Sequence, residues 1–161
     1  MTTLGIISDT HGFLNETVLA VQLFRKSGVR AVIHCGDIGS SAVAKAFQGL
    51  ETHFVLGNVD GNGETLRLAI EETGNHFHGV FGSLKLSGKR IAFLHGHQSK
   101  KFDQELRNGN WDLLCYGHTH IAALQMSGST MLLNPGAFER VFRPTIAIVT
   151  LPDLTVERFD L

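Results

Sequence analysis

The stretch TLGIISDTHGFLNETVLAVQLFRKSGVRAVIHCGDIG, residues 3–39, decides the fold. Two runs rich in Ile and Val flank a segment whose apolar residues recur every three to four positions. This pattern predicts a strand, then a helix capped by Asn15 and ended by Gly28, and then a second strand. A strand-helix-strand unit implies parallel strands in an α/β fold.

The same pattern continues beyond this unit. SAVAKAFQGL (41–50) predicts a second helix capped by Ser40 or Ser41, and THFVLG (52–57) predicts a third strand. After residue 75, turns at 87–89, 127–129 and 152–153 and a short helix at 100–108 favour a mostly antiparallel second half. Residues 1–161 are expected to form one domain, a layered sandwich of sheets flanked by helices.

Composition excludes several classes of protein. A net charge of -1 and a pI of about 6.7 give no bulk nucleic-acid-binding signature. The N-terminus lacks a basic region, and no apolar run approaches the length of a membrane span, so neither a signal peptide nor a membrane segment is expected. Cys35 and Cys115 lie in apolar runs and are predicted to be buried free thiols, which fits a cytoplasmic protein.

Polar residues follow each predicted strand. They stand in the motifs SDTHG, CGDIG, LGNVDG, LHGH and YGHTH, and comprise Asp9, His11, Asp37, Asn58, Asp60, His95, His97, His118 and His120. In α/β sheets, ligands bind beyond the carboxyl ends of the strands, where loops distant in sequence converge. We therefore expect these side chains to form one site.

The chemistry of this set points to metal ions. Imidazoles and carboxylates without cysteine suit divalent zinc, manganese, iron or cobalt. Leaving out Asp60 and His97, the seven remaining candidate ligands exceed what one ion needs, so two ions sharing a carboxylate are predicted, an arrangement that hydrolyses phosphate esters. Asp37, alone on its loop, is the expected bridge. Glycines adjoining the ligands leave room for metal and phosphate.

The ordered motifs DTHG, GDIG, GNVDG, HGH and GHTH resemble those of the calcineurin-like metallophosphoesterase superfamily, in its small bacterial and archaeal phosphodiesterase branch. NPGAFER (134–140) resembles the short motif that follows GHTH in that branch. The resemblance implies a four-layer α-β-β-α sandwich of two mixed sheets and a metal-dependent phosphodiesterase.

The resemblance also implies how the ligands are shared between two divalent ions. One ion is held by Asp9, His11, Asp37 and His120, and the other by Asp37, Asn58, His95 and His118. Manganese is the favoured metal, with zinc, iron, nickel and cobalt as alternatives. The expected substrate is a phosphodiester small molecule or a nucleotide, and Asn58 is assigned to substrate binding as well.

Val59 departs from the superfamily pattern, because many members have a histidine at this position, which protonates the leaving oxygen. Valine donates no proton, so good leaving groups are expected to be favoured. We hypothesise that His97 partly replaces this acid or binds phosphate. The alternative is an exposed histidine, or one that supports a ligand.

Other polar residues are given structural roles. Asp60 is expected to fix its loop or cap the helix near Glu64, and His34 to be a hydrogen-bonded core histidine. Sheet or surface positions are predicted for His53, His76 and His78, and surface positions for Arg140 and Arg143.

Three other interpretations stay open at this point. The retromer scaffold subunit resembles the same branch, so a non-catalytic protein-interaction scaffold is one alternative, and a phosphomonoesterase is another. A purely structural zinc site is disfavoured, because such sites usually contain cysteine. Clusters of Phe beside polar residues leave open a homo-oligomer contact.

Overall fold

A computed structural model describes residues 1–161. The elements in chain order are β1 (Thr2–Ile7), α1 (Leu14–Lys26), β2 (Ala31–His34), α2 (Ser41–Ala46), β3 (Thr52–Phe54), α3 (Glu64–Glu72), β4 (His76–Phe77), β5 (Phe81–Leu86), β6 (Lys89–Leu94), α4 (Ser99–Asn108), β7 (Leu113–Cys115), β8 (Ala123–Ser127), β9 (Thr130–Asn134), β10 (Thr145–Leu151) and β11 (Thr155–Asp160).

The helix ends agree with the sequence signals at all but one position. Ser40 caps α2, and its hydroxyl accepts a hydrogen bond from the Val43 N–H at 3.3 Å. Gly28 follows α1 with φ of 64°. The prediction for Asn15 was wrong, because α1 begins at Leu14 and Phe13 takes the cap position, two residues before Asn15, without a side-chain hydrogen bond.

The strands form two mixed sheets. The first has the order β11-β10-β1-β2-β3-β4, with β1 to β4 parallel and β10 antiparallel to β1. The second has the order β5-β6-β7-β9-β8, and its three central strands are parallel. The expectation of a mostly antiparallel second half holds for the hairpins β5-β6, β8-β9 and β10-β11, but it does not hold for the parallel centre of this sheet. There α4 forms a crossover between β6 and β7, and antiparallel hairpin partners lie only at the edges.

Three hydrophobic clusters define the layers. One packs the helices, including Phe24 of α1 and Ile70 of α3, against the first sheet. A second fills the space between the sheets with side chains such as Ile33 and Phe93. A third lies on the outer face of the second sheet, where Phe102 of α4 packs. The order helix, sheet, sheet, helix confirms the predicted fold class.

Both cysteines lie in the layer between the sheets. Cys35 and Cys115 are free and buried, as predicted. Burial raises the pKa of both thiols, because the apolar surroundings disfavour the thiolate. Neither thiol is therefore activated as a nucleophile.

Candidate metal centre

The first predicted ligand group converges on a single point. The metal-binding atoms of Asp9, His11, Asp37 and His120 all lie within 4.8 Å of one another. Nε2 of His120 is 3.2 Å from Oδ1 of Asp9, and Nε2 of His11 is 3.4 Å from Oδ2 of Asp37. These residues follow strands of both sheets, so the site lies where the two sheets meet.

The second predicted group lies beside the first and shares Asp37. Nε2 of His95 is 3.1 Å from Oδ2 of Asp37 and 3.1 Å from Oδ1 of Asn58. The ring of His118 lies edge-on to that of His95, with centroids 5.2 Å apart. The main-chain N–H of His118 donates to Oδ2 of Asp9 at 3.0 Å, which ties the two groups together.

Main-chain carbonyls set the tautomers of two histidines. Nδ1 of His95 lies 2.9 Å from the Cys35 carbonyl, and Nδ1 of His120 lies 3.0 Å from the Glu139 carbonyl. A carbonyl only accepts, so each Nδ1 must carry the proton and donate it. In the neutral rings, both Nε2 lone pairs therefore point into the site, the arrangement that metal-ligating histidines use.

The site brings many hydrogen-bond acceptors close together, and we call it the acceptor cluster. The lone pair of His95 faces oxygens of Asp37 and Asn58, and Oδ1 of Asp9 is buried without a hydrogen-bond partner. Buried acceptors that face one another need a proton or a cation between them. The donor set of imidazoles, carboxylates and one amide thus fits divalent metal ions.

The calcineurin-like phosphoesterase superfamily model matches residues 2–153, nearly the whole chain. The chain belongs to this superfamily. Superfamily members use divalent metal ions, and the donor atoms of the acceptor cluster make it a candidate site for them in this chain.

Known proteins similar to this chain include two phosphodiesterases. Phosphodiesterase MJ0936 of Methanocaldococcus jannaschii is 30% identical over 136 residues, covering 83% of this chain and 82% of the relative. A solved structure of a novel archaeal phosphodiesterase is 28% identical, with a TM-score of 0.89 and 99% and 100% coverage. Vacuolar protein sorting 29 of Cryptosporidium parvum shares the fold, at 17% identity and a TM-score of 0.69, with 99% and 96% coverage.

The backbone is left-handed at five of the candidate ligands. The φ values are 54° at Asp9, 43° at His11, 53° at Asp37, 69° at His118 and 59° at His120. Non-glycine residues rarely adopt this conformation, and each costs roughly 1–3 kcal/mol. The surrounding loops must therefore hold these residues in place.

Asp60 is the residue that holds two of these loops together. Its carboxylate accepts hydrogen bonds from the N–H groups of Gly57 at 2.8 Å, Gly39 at 3.0 Å and Ile38 at 3.2 Å. It thus joins the loop that carries Asn58 to the loop that carries Asp37. The loop-fixing interpretation of Asp60 is confirmed, and Asp60 does not cap the following helix, which begins after Gly63.

Glycine is required at two positions next to the ligands. A Cβ on Gly57 would overlap the carboxylate of Asp37, and a Cβ on Gly117 would overlap the side chains of Ser8 and Asp9. The close approach of these loops therefore depends on residues without side chains.

His34 lies fully buried behind the site and is a core histidine, as predicted. Its Nδ1 accepts from the Gly36 N–H at 3.2 Å, and its Nε2 donates to the Thr10 hydroxyl at 2.9 Å. The Thr10 hydroxyl in turn donates to the Ile38 carbonyl at 3.1 Å. Burial lowers the pKa of His34 to about 3, so the ring stays neutral and links the loops that carry Asp9 and Asp37.

Sequence reasoning missed two residues that position the site. Glu139 presents its carbonyl to His120 and its Oε2 to Nδ1 of His11 at 3.5 Å. Asn134 donates to the Gly117 carbonyl and the Thr119 hydroxyl, each at 3.0 Å, and so fixes the GHTH loop. Both residues belong to the NPGAFER motif. The motif was noticed in the sequence, but no role was assigned to its residues.

Above the acceptor cluster lies an open cleft of about 460 Å³. Val59, Arg140 and Thr119 line it beside the candidate ligands. Arg140, expected at the surface, thus borders the site while its side chain remains 83% exposed. The cleft is wide enough for a small phosphate ester.

His97 lies beside the cluster and outside the lining of this cleft. Its ring is 5.4 Å from that of His95 and 6.2 Å from that of His118. Nδ1 of His97 is buried without a hydrogen-bond partner, and burial lowers its pKa. Its catalytic role stays a prediction.

The charge state of the cluster follows from its contacts. Burial opposes ionisation of Asp37, but the hydrogen bond that Nε2 of His95 donates when its ring is protonated and the one from the Val59 N–H outweigh it and lower the Asp37 pKa. For His95, burial favours the neutral ring, whereas the carboxylates of Asp37 and Asp9 raise its pKa overall. The negative field that attracts a proton to His95 would attract a metal cation equally.

None of the four helices combines the length and the hydropathy that a bilayer crossing needs.

Proposed function

We propose that this chain is a dinuclear-metal-dependent phosphodiesterase. Asp9, His11, Asp37 and His120 hold one divalent ion, and Asn58, His95 and His118 hold a second ion that shares Asp37. The observation that carries the proposal is the meeting of two acceptor groups at Asp37, with His95 and His120 fixed in the metal-binding tautomer.

When bound by these residues, a pair of divalent ions would supply an activated water molecule and positive charge to offset that of the phosphate. The protein orients the ligands through the carbonyls of Cys35 and Glu139 and through the main-chain N–H of His118. Asn58 presents a neutral oxygen and faces the cleft, where it also contacts substrate. Val59 gives the leaving oxygen no proton, so aryl esters react faster than alkyl esters.

The experiment is hydrolysis of an aryl phosphodiester by Mn²⁺-loaded protein. Chelation or Asp37→Ala abolishes turnover, because either removes the shared centre of the site. Asp153→Ala, in the exposed turn between β10 and β11, is the matched control and keeps full activity. Undiminished turnover by Asp37→Ala would refute the bridging role.

His97 is proposed to assist the leaving group or to bind phosphate. A series of aryl phosphodiesters with graded leaving-group pKa tests this role. His97→Ala steepens the dependence of rate on leaving-group pKa if His97 is the acid. An unchanged slope with a raised KM assigns it to phosphate binding, and an unchanged slope and KM refute both roles.

Metal identity and substrate are further parts of the proposal. We favour manganese over zinc, iron, nickel or cobalt, and elemental analysis of protein purified without chelator tests this choice. The proposed substrate is a small phosphodiester or a nucleotide. Comparing diester and monoester panels separates a phosphodiesterase from a phosphomonoesterase.

The remaining alternative is a non-catalytic scaffold of the same fold. Every position of the superfamily ligand scheme retains an Asp, Asn or His here, which supports an enzyme. We further propose that residues 1–161 act as one cytoplasmic domain. Whether the chain forms a homo-oligomer is tested by its mass in solution.

A further inference from the structure

A second cluster of potential ligands lies at the edge strands of the first sheet. Ligand atoms of Glu51, His53 and His76 all lie within 4.8 Å of one another. His53 on β3 and His76 on β4 are paired in the parallel register, and their rings stack with centroids 4.5 Å apart and planes 14° apart. Stacked rings direct their in-plane lone pairs side by side, so the exposed ring of His76 must turn out of the stack to share an ion with His53. This cluster shares no residue with the candidate metal centre around Asp37, which is called the strand-end site below.

His78 orients the ring of His53. Nδ1 of His53 lies 3.0 Å from Nε2 of His78, so one of these nitrogens donates to the other. When Nδ1 of His53 carries the proton, its Nε2 lone pair faces Oε1 of Glu51, 3.6 Å away. This is the arrangement of a metal-ligating histidine whose other ring nitrogen is held by an acceptor.

The carboxylate of Glu51 is divided between two roles. Its Oε2 accepts a hydrogen bond from the Arg30 guanidinium, which fixes the carboxylate, and its Oε1 is left facing His53. Arg30 also balances the charge of Glu51. With neutral histidines, the cluster therefore has little net charge and offers mainly imidazole nitrogen.

The cluster can be reached from solvent. The side chain of His53 is 13% exposed and borders a small cavity of about 130 Å³ together with Glu51 and Lys85. An ion can thus reach the cluster from solvent.

We propose that Glu51, His53 and His76 bind one divalent transition-metal ion, separate from the strand-end site, and that His78 is a positioning residue for His53. Two imidazoles and one carboxylate suit Zn²⁺, Ni²⁺, Co²⁺ or Cu²⁺. Ca²⁺ and Mg²⁺ require mostly oxygen ligands and are excluded by the same donor set. Water completes the coordination.

The site has a structural consequence. The metal joins Glu51 and His53 to His76, and thereby pins β4, an edge strand of only two residues, to β3. A ligand that binds only the folded chain stabilises it in proportion to its saturation. Zn²⁺ therefore raises the melting temperature through this cluster as well as through the strand-end site.

The test is a Zn²⁺ titration of metal-stripped protein, with the number of bound ions read by calorimetry and elemental analysis. The wild type binds one more ion per chain than His76→Ala or Glu51→Gln does. Glu157→Gln, at an exposed position on β11, is the matched control and binds as the wild type does. Both cluster positions are exposed, so these variants are expected to fold, and circular dichroism checks this.

Equal stoichiometry and equal affinity in the wild type and both cluster variants would overturn the proposal. Turnover of an aryl phosphodiester by the Mn²⁺-loaded His76→Ala variant stays at the wild-type rate, because the cluster is separate from the strand-end site. A parallel loss of activity and of the extra ion would overturn that separation.

The role of His78 has its own measurement. His78→Ala lowers the affinity of the extra ion by roughly 10- to 100-fold while its stoichiometry at saturation is kept. His78→Gln restores part of the affinity, since its amide oxygen also accepts from Nδ1 of His53. Unchanged affinity in His78→Ala would refute the positioning role.

Discussion

The main-chain N–H of Val59 donates a hydrogen bond to Oδ1 of Asp37 at 3.0 Å. The side chain of Val59 points elsewhere, is 51% exposed and lines the cleft. The backbone of this residue therefore holds the proposed bridging carboxylate, whereas its side chain is free to vary. Position 59 can be substituted without losing the support of Asp37.

Val59→His is expected to accelerate hydrolysis of alkyl phosphodiesters. A histidine there supplies the missing proton donor, a contribution typically worth about 10²- to 10⁴-fold, while nitrophenyl esters gain little. Val59→Ala is the control and changes neither rate. The measurement is kcat/KM across leaving groups, and equal gains for aryl and alkyl esters would argue against proton donation.

Asp60→Asn is expected to loosen the metal site. The amide replaces one of two acceptor oxygens that together bind three N–H groups, so a donor is left facing a donor. The free energy of unfolding should fall by about 1–3 kcal/mol, and Mn²⁺ affinity by roughly 10- to 100-fold. Asp153→Asn, in an exposed turn, is the control. Wild-type Mn²⁺ affinity in Asp60→Asn would show that the loops hold without it.

Arg140→Ala is expected to raise KM with little change in kcat. Its exposed guanidinium borders the cleft, where an ion pair with substrate phosphate contributes up to about 1 kcal/mol, or about fivefold. Arg143→Ala is the matched control, because Arg143 packs over the ring of Phe142 and does not line the cleft. Equal KM changes in both variants would indicate only a general charge effect.

His34→Gln is expected to reduce the dependence of the free energy of unfolding on pH below about pH 6.5. Because the His34 pKa is about 3 in the folded chain against 6.5 unfolded, the unfolded chain binds more protons between these values. The free energy of unfolding thus falls as pH drops from 6.5 towards 3, by up to about 1.4 kcal/mol per pH unit. Glutamine does not titrate, so urea unfolding of the metal-free variant should lack this slope. Parallel curves would contradict the assignment.

The sequence predicted the parts of this site that depend on local signals. Strand-end motifs identify Asp9 and Asp37 because apolar runs and glycines mark where strands stop. The role of Glu139 is different, since it acts through a carbonyl, which every residue has. The pairing of His53 with His76 depends on the register of two short strands that α3 separates, and such nonlocal pairing is not encoded in either strand alone.

The parallel pairing at the centre of the second sheet was not predicted, for the same reason. Hairpin turns such as Ser87-Gly88 are visible in sequence, and they correctly predicted the antiparallel edges. The parallel pairing of β7 with β6 and β9 involves no tight turn, so no local sequence signal indicates it.

The left-handed backbone at the candidate ligands lowers the stability of the fold at the positions that metal binding needs. Glycine in place of His11 or His118, whose side chains hold no main-chain hydrogen bond, would relieve strain of roughly 1–3 kcal/mol while deleting a ligand. A lineage selected only for a durable fold would therefore lose these ligands first and keep both sheets intact.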